Sequence, residues 1–177
     1  MSKVTKKPEV KVKSVLVYLM ATESLLIDIT RSPHDWIRKQ MGYDDYKSKS
    51  LFYYLIKKGL ISIEAKAGGR AIRLTRKGEL EALLAKSVMA KPVRWDGKWR
   101  VVIFDIPESA RHYRNRLRRL LKQRGFIQLQ ASVFISPYPL NREAISYLKE
   151  TGLIKYIRIL KVEEVDDDRD LRKKFKL

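Results

Sequence analysis

The chain contains no cysteine, which excludes disulfides, thiolate zinc sites and cysteine nucleophiles. Its two histidines, His34 and His112, lie in different halves and form no metal-ligand cluster with spacing that can be read from sequence. The longest apolar runs, such as residues 15–20 (VLVYLM), fall far short of the ~20 residues of a spanning helix, so no membrane partner is expected. The N-terminal stretch MSKVTKKPEV is charged but has no apolar signal core, so export is not expected and the cytoplasm is the expected compartment. No glycine-rich phosphate loop occurs: AGGRA lacks the Lys-Ser/Thr pair. No serine nucleophile elbow occurs either.

Acidic residues are scarce against basic ones: 20 Asp plus Glu face 39 Lys plus Arg, for a net charge of +19. That excess exceeds what solubility requires and attracts polyanions, chiefly nucleic acid. The charge is evenly spread, since residues 1–90 carry 18 basic against 9 acidic side chains and residues 91–177 carry 21 against 11. Both halves are therefore candidates to touch the same polyanion. The seam falls in KSVMAKPVRWDGKW, where Pro92 and Asp96-Gly97 are breaker signals and Trp95 and Trp99 are positioned to anchor the connection. The expected organisation is a first domain at residues 1–86, a linker at 87–98 and a second domain at 99–177. The hydrophobic share, 45%, is ordinary for a chain that buries a core.

In the first half, residues 12–21 fit a short buried helix and residues 25–30 (LLIDIT) a strand. SPHDWIRKQM then places Ser32 as N-cap and Pro33 at the first helical position, with Gly42 as the stop. Asp44 or Asp45 caps the next helix, in which Leu51, Tyr54, Leu55 and Lys58 recur at helical spacing and Gly59 ends the element. LISIEAK and RAIRLTRKG, joined by AGG with its glycines where positive φ is required, read as a hairpin, and ELEALLAK as a last short helix. Helix, strand, helix, helix, hairpin is the order of a winged helix-turn-helix, whose third helix enters the major groove and whose hairpin is the wing. Lys47, Ser48 and Lys49 occupy the first turns of that helix, and Arg70 and Arg73 lie on the wing. Tyr53 and Tyr54 read as core rather than as base-stacking groups. The competing reading, a protein-docking winged fold with solvated lysines, is weaker on charge and element order together.

In the second half, RVVIFDI reads as a buried strand, and Pro107 holds Ile106 extended. The following helix has an inner stripe of Tyr113, Leu117, Leu120 and Leu121 and an outer stripe of Arg111, Arg114, Arg118 and Lys122, a candidate phosphate-binding surface. Two short strands follow around Ala131, then a helix capped by Asn141, then a strand at residues 156–165. The order βαββαβ is the ferredoxin-like motif. The expected fold is thus α+β, a winged helix-turn-helix followed by a ferredoxin-like domain.

VVIFDIPE, the arginine-rich helix and LQASVFISP resemble the small ferredoxin-fold proteins of CRISPR spacer acquisition. The whole chain resembles the phenylacetate-operon repressor (PaaX) family, on WRVVIFDIPE, LRRLLKQRGF, LQASVFISP and the terminal DLRKKFKL. The resemblance implies a winged helix joined to a CRISPR-type ferredoxin domain, duplex DNA as partner and a repressor acting as a homodimer. Members of that family usually continue into a third, helical domain implicated in sensing an acyl-CoA effector, whereas this sequence stops at Leu177, so the resemblance assigns no ligand here.

Asp105 frames the alternative. In the spacer-acquisition relatives the matching acid of each subunit lies across a dimer axis, which would make Asp105 a Mg²⁺ or Mn²⁺ ligand in a metal-dependent nuclease. Metal-assisted phosphate cleavage needs several converging ligands, and neither Glu108 nor the run Asp166, Asp167, Asp168 supplies a clear partner in sequence. The expected role of Asp105 is a strand-end acid bonded to local amides or arginines, with no cofactor required. An RNA-binding accessory protein using the same basic surfaces is a third reading. The tail is expected to join dimerisation through Leu171 and Phe175, four apart on one helical face.

Overall fold

The computed structural model describes residues 8–22, 25–27, 32–66, 69–90 and 93–177, and the chain divides into two units, Met1–Lys86 and Ser87–Leu177. The first unit runs α1 (Pro8–Ala21), β1 (Leu25–Ile27), α2 (Asp35–Met41), α3 (Asp45–Lys57), β2 (Ile61–Lys66), β3 (Gly69–Leu74) and α4 (Arg76–Met89), whose last residues fall in the second unit. Its sheet is antiparallel in the order β1-β3-β2. Val15, Leu16 and Leu19 of α1, Trp36 and Ile37 of α2, Phe52 and Leu55 of α3, and Leu60, Ile61 and Ile72 form one buried cluster. Each such side chain removed from water contributes roughly 1.5–3 kcal/mol, which is what gathers three short helices onto a three-stranded sheet.

Two local expectations are corrected, and a third lies partly outside the described residues. Ser32 is not the α2 cap: its carbonyl accepts from Asp35 N–H at 2.9 Å in a turn, and the helix starts at Asp35 behind His34. The strand expected at residues 25–30 is described only at Leu25–Ile27; Asp28, Ile29 and Thr30 lie outside the described residues, as do the hairpin residues Ala67 and Gly68. The stretch RKG belongs to a helix, not a strand. Thr75 caps α4 early, its hydroxyl accepting from Gly78 N–H at 3.1 Å while donating to Gly59 carbonyl at 2.6 Å. Gly78 is required there, because a Cβ would stand 1.9 Å from the Leu60 carbonyl oxygen.

The second unit runs β4 (Trp99–Phe104), a 3₁₀ turn at Glu108–Ala110, α5 (Arg111–Gln123), β5 (Ile127–Gln130), β6 (Val133–Ser136), α6 (Arg142–Glu150), a 3₁₀ turn at Leu153–Tyr156, β7 (Ile157–Val162) and α7 (Arg169–Phe175). The sheet order β5-β6-β4-β7 with antiparallel neighbours is that of a ferredoxin-like domain. The register Val102↔Phe134 and Phe104↔Ile157 puts four buried residues on one face, and the inner stripes of α5 (Leu117, Leu120, Leu121) and α6 (Ala144, Tyr147, Leu148) are buried as well. Tyr113, expected on the α5 inner stripe, is exposed and rests against the His112 ring at 3.9 Å. Strand β4 also ends at Phe104 rather than Ile106, the extended strand giving way two residues before Pro107.

The opposite face of the sheet is covered only in part. Leu171 and Phe175 of α7 and Trp95 of the connection pack with Trp99 and Ile135, with the Trp99 ring 5.8 Å from Phe175 and 5.5 Å from Trp95. The tail's apolar pair therefore packs within its own domain. Asp168 ties this cover down: it accepts from the Trp99 indole N–H at 3.1 Å and from Arg172 Nε at 2.8 Å. The Arg172 guanidinium holds the Asp168 carboxyl below its ordinary range, with the Trp99 bond adding to the effect. Asp168 thus departs from the solvated run that its neighbours Asp166 and Asp167 suggest.

Two predictions follow from these packings. Gly78→Ala forces a backbone clash and lowers unfolding free energy by at least ~1–3 kcal/mol, the range for overpacking, as read by urea denaturation. For Asp168, a carboxylate whose pKa is depressed in the folded state contributes stability above the unfolded pKa and loses it as pH falls through the folded value. Wild type is therefore more stable than Asp168→Asn at pH 7, and the gap closes below the ordinary aspartate value of ~3.9. Urea melts across that range, followed by tryptophan fluorescence in a Trp36→Phe background, measure it.

Candidate nucleic-acid interface

The geometry of α3 begins at its N-terminus. Asp44 accepts from Lys47 N–H at 2.8 Å and also pairs with the Lys47 ammonium, which holds the Asp44 carboxyl below its ordinary range. His34, buried ahead of α2, bonds Asp45 at 2.9 Å and so joins the starts of the two helices. These contacts and the buried residues Ser48, Phe52 and Leu55 fix the rotation of α3 about its axis. At ~100° per residue, the side turned away from that stripe carries Tyr46, Ser50, Tyr53 and Lys57, with Lys49 at its edge. All five are exposed, Tyr46 by 82% and Tyr53 by 56%.

Measured against the expected site, Lys49 is exposed at the edge of the outward face, and Lys47 is exposed but engaged with Asp44. Ser48 is corrected: it is fully buried, and its hydroxyl donates to the Asp44 carbonyl at 2.8 Å. Tyr53 and Tyr54, expected in the core, are exposed. Both errors have one cause, an inner stripe set on Leu51, Tyr54, Leu55 and Lys58 rather than on Ser48, Phe52 and Leu55. Counting back four from Phe52 finds Ser48 inside and turns Tyr46 and Tyr53 outward. On the hairpin, Arg70 is exposed, whereas Arg73 pairs with Glu64 across the strands at 3.4 Å.

The arginine stripe of the second unit is also partly committed. Arg114 and Arg111 both reach Glu108, Arg111 at 3.8 Å, and the Arg114 bond leads in holding the Glu108 carboxyl below its ordinary range. Arg118 donates to the Ala131 carbonyl at 2.7 Å and so ties the β5–β6 turn to α5. Lys122 is exposed, as is Arg119, which was not anticipated. Arg119 sits one turn from Arg116 on the far side of the helix, outside the stripe of Arg111, Arg114, Arg118 and Lys122.

Asp105 is exposed, and its backbone N–H donates to the Tyr156 carbonyl at 3.0 Å. Among the described residues its carboxylate has no hydrogen bond or ion pair, contrary to its expected local pairing. The metal-compatible group among the described residues is elsewhere: His34, Asp35 and Asp45, with ligand atoms within 4.8 Å of one another. Asp35 there also pairs with Arg38 at 3.2 Å, and both acids sit in first turns, where the helix dipole favours negative charge without a metal.

Residues 92–174 match the family described as PaaX protein central Cas2-like domain. The second unit is a PaaX-type Cas2-like domain. No curated protein matches the chain. The PaaX match places the chain with transcriptional regulators in general. It lies in the ferredoxin-like unit and does not extend over the helices and hairpin of the first. No helix among the described residues is long and apolar enough to cross a membrane.

Because the Asp105 carboxylate is exposed and makes no bond, Asp105→Asn leaves unfolding free energy within about 0.5 kcal/mol of wild type, as for other surface changes away from packed features. Urea denaturation of the two proteins checks this.

Proposed function

We propose that the chain is a sequence-specific duplex-DNA-binding transcriptional regulator that acts as a dimeric repressor. The observation that carries this reading is the outward face of α3, where tyrosines alternate with lysines and no acid intervenes. Lysine and arginine supply phosphate contacts and the salt-dependent part of affinity. A tyrosine hydroxyl can hydrogen-bond base edges, and the ring can pack against thymine methyls. Arg70 on the hairpin suits a phosphate or minor-groove contact. Lys122 and Arg119 extend the cationic surface of the second unit.

For the dimer, the supporting observation is the part of the sheet that α7 leaves bare. Ile103 and Leu160 stay exposed there, Leu129 is exposed on the edge strand β5, and β7 is a second edge. Exposed apolar groups and open edges favour a two-fold partner. A second reading, a Mg²⁺- or Mn²⁺-dependent nuclease, has one observation in its favour: the exposed, unbonded Asp105 carboxylate. In that case metal-dependent cleavage products would disappear in Asp105→Asn.

Selection of bound duplexes from a random pool at physiological salt tests the main reading, which expects an enriched palindrome; no enrichment contradicts it. On the selected site, Lys49→Ala and Tyr53→Ala reduce discrimination against altered bases by about 1–3 kcal/mol for each lost base contact. Arg70→Ala weakens all sequences alike and reduces the salt slope by about 1. Titrations of matched and mismatched duplexes at several salt concentrations separate the two effects.

A further inference from the structure

Lys47, Leu51 and Tyr54 of α3 and its C-cap Lys58 lie between the buried stripe and the outward face, with Leu51 also packed against the core. They form one wall of a groove of about 880 Å³ in the first unit, within the usual range of ~300–1,000 Å³ for small-molecule sites. The facing wall comes from Lys13 and Leu16 of α1 and Lys77 and Glu81 of α4, with Leu60 between. Leu16 and Leu60 are buried and give the groove an apolar floor. Four lysines line it against a single acid.

We infer that this groove binds a small amphipathic anion, an apolar body ending in a carboxylate. The apolar floor favours a hydrocarbon body, since burying apolar surface is the main favourable term in such sites. The lysine rim selects a negative end and disfavours a cation. Lys47 is tied to Asp44, and Lys77 donates to the Lys58 carbonyl at 2.7 Å. The Lys58 ammonium lies 5.7 Å from the Tyr54 ring centroid, and Lys13 has no partner among the described residues, so these two ammonium groups are the ones open to a ligand. Tyr43 also lines the groove. Nucleic-acid phosphates fit the rim but leave the apolar floor unfilled.

The proposal is independent of DNA binding and is tested without nucleic acid. Calorimetric titration of the full chain with decanoate, 1-decanol and decyltrimethylammonium compares one body with three ends. Decanoate is expected to bind saturably, one per chain, at least about tenfold more tightly than decanol, with no binding of the cation. Lys13→Glu is expected to weaken decanoate about tenfold or more and leave decanol unchanged. Leu51→Gln weakens both, and thermal melts verify that each variant is folded. Equal affinity for decanoate and decanol, the absence of saturable binding, or decanoate binding unchanged in both folded variants overturns the proposal.

Discussion

The rotation of α3 about its own axis decides what the first unit offers to a partner. A helix of this length has little intrinsic preference for one rotation in water, since isolated short helices are marginal. Here the choice is made by the core, through Phe52 and Leu55 and the small Ser48 that lets the helix approach. Asp44 at the cap and the His34–Asp45 bond hold the same setting from the N-terminal end. With that stripe inside, a tyrosine–lysine face must point outward and a lysine–apolar stripe must point sideways into the groove. A turn of ~100° per residue means that shifting the inner stripe by one position would exchange these surfaces.

The second unit follows from the two-residue alternation of strands. Residues on one side of β4, Val102 and Phe104, join the buried set with Phe134 and Ile157, while Trp99 on the other side is roofed by α7. The Asp168 carboxylate couples that roof to the sheet through a neutral donor and a charged one. A chain with so many cations spends several of them within the domain: Arg118 on a turn, Arg114 and Arg111 on Glu108, and Arg124 on the carbonyls of Ser87 and Ala90 at 2.8 and 3.0 Å. Net charge therefore overstates what is left for a polyanion, and the residues that remain exposed without such bonds, such as Lys49, Arg119 and Lys122, matter more than the total.

The architecture was largely legible in sequence because its signals are local and strong. Asp44 and Asn141 are caps whose side chains bond the expected backbone N–H groups, and Gly42 and Gly59 adopt the positive φ of helix stops. The apolar run at β4 and the stripe of α5 fix the order of the ferredoxin-like unit. What could not be read depends on tertiary choices. The start of α4 is set by Thr75 bonding Gly59, a contact between distant parts of the chain. Ser48 was misplaced because a small polar residue carries no hydropathy signal, and its burial follows only from its neighbours. Leu171 and Phe175 were correctly seen as one face, but a helical face does not say which surface it will meet.

The central claim is that bases are read by the outward face of α3. Photo-crosslinking of the full chain to a selected duplex carrying bromodeoxyuridine, with the attached peptides mapped by mass spectrometry, tests it most directly. The account predicts adducts within Asp45–Lys57 at Tyr46 or Tyr53. Adducts confined to the second unit, on α5, would contradict it.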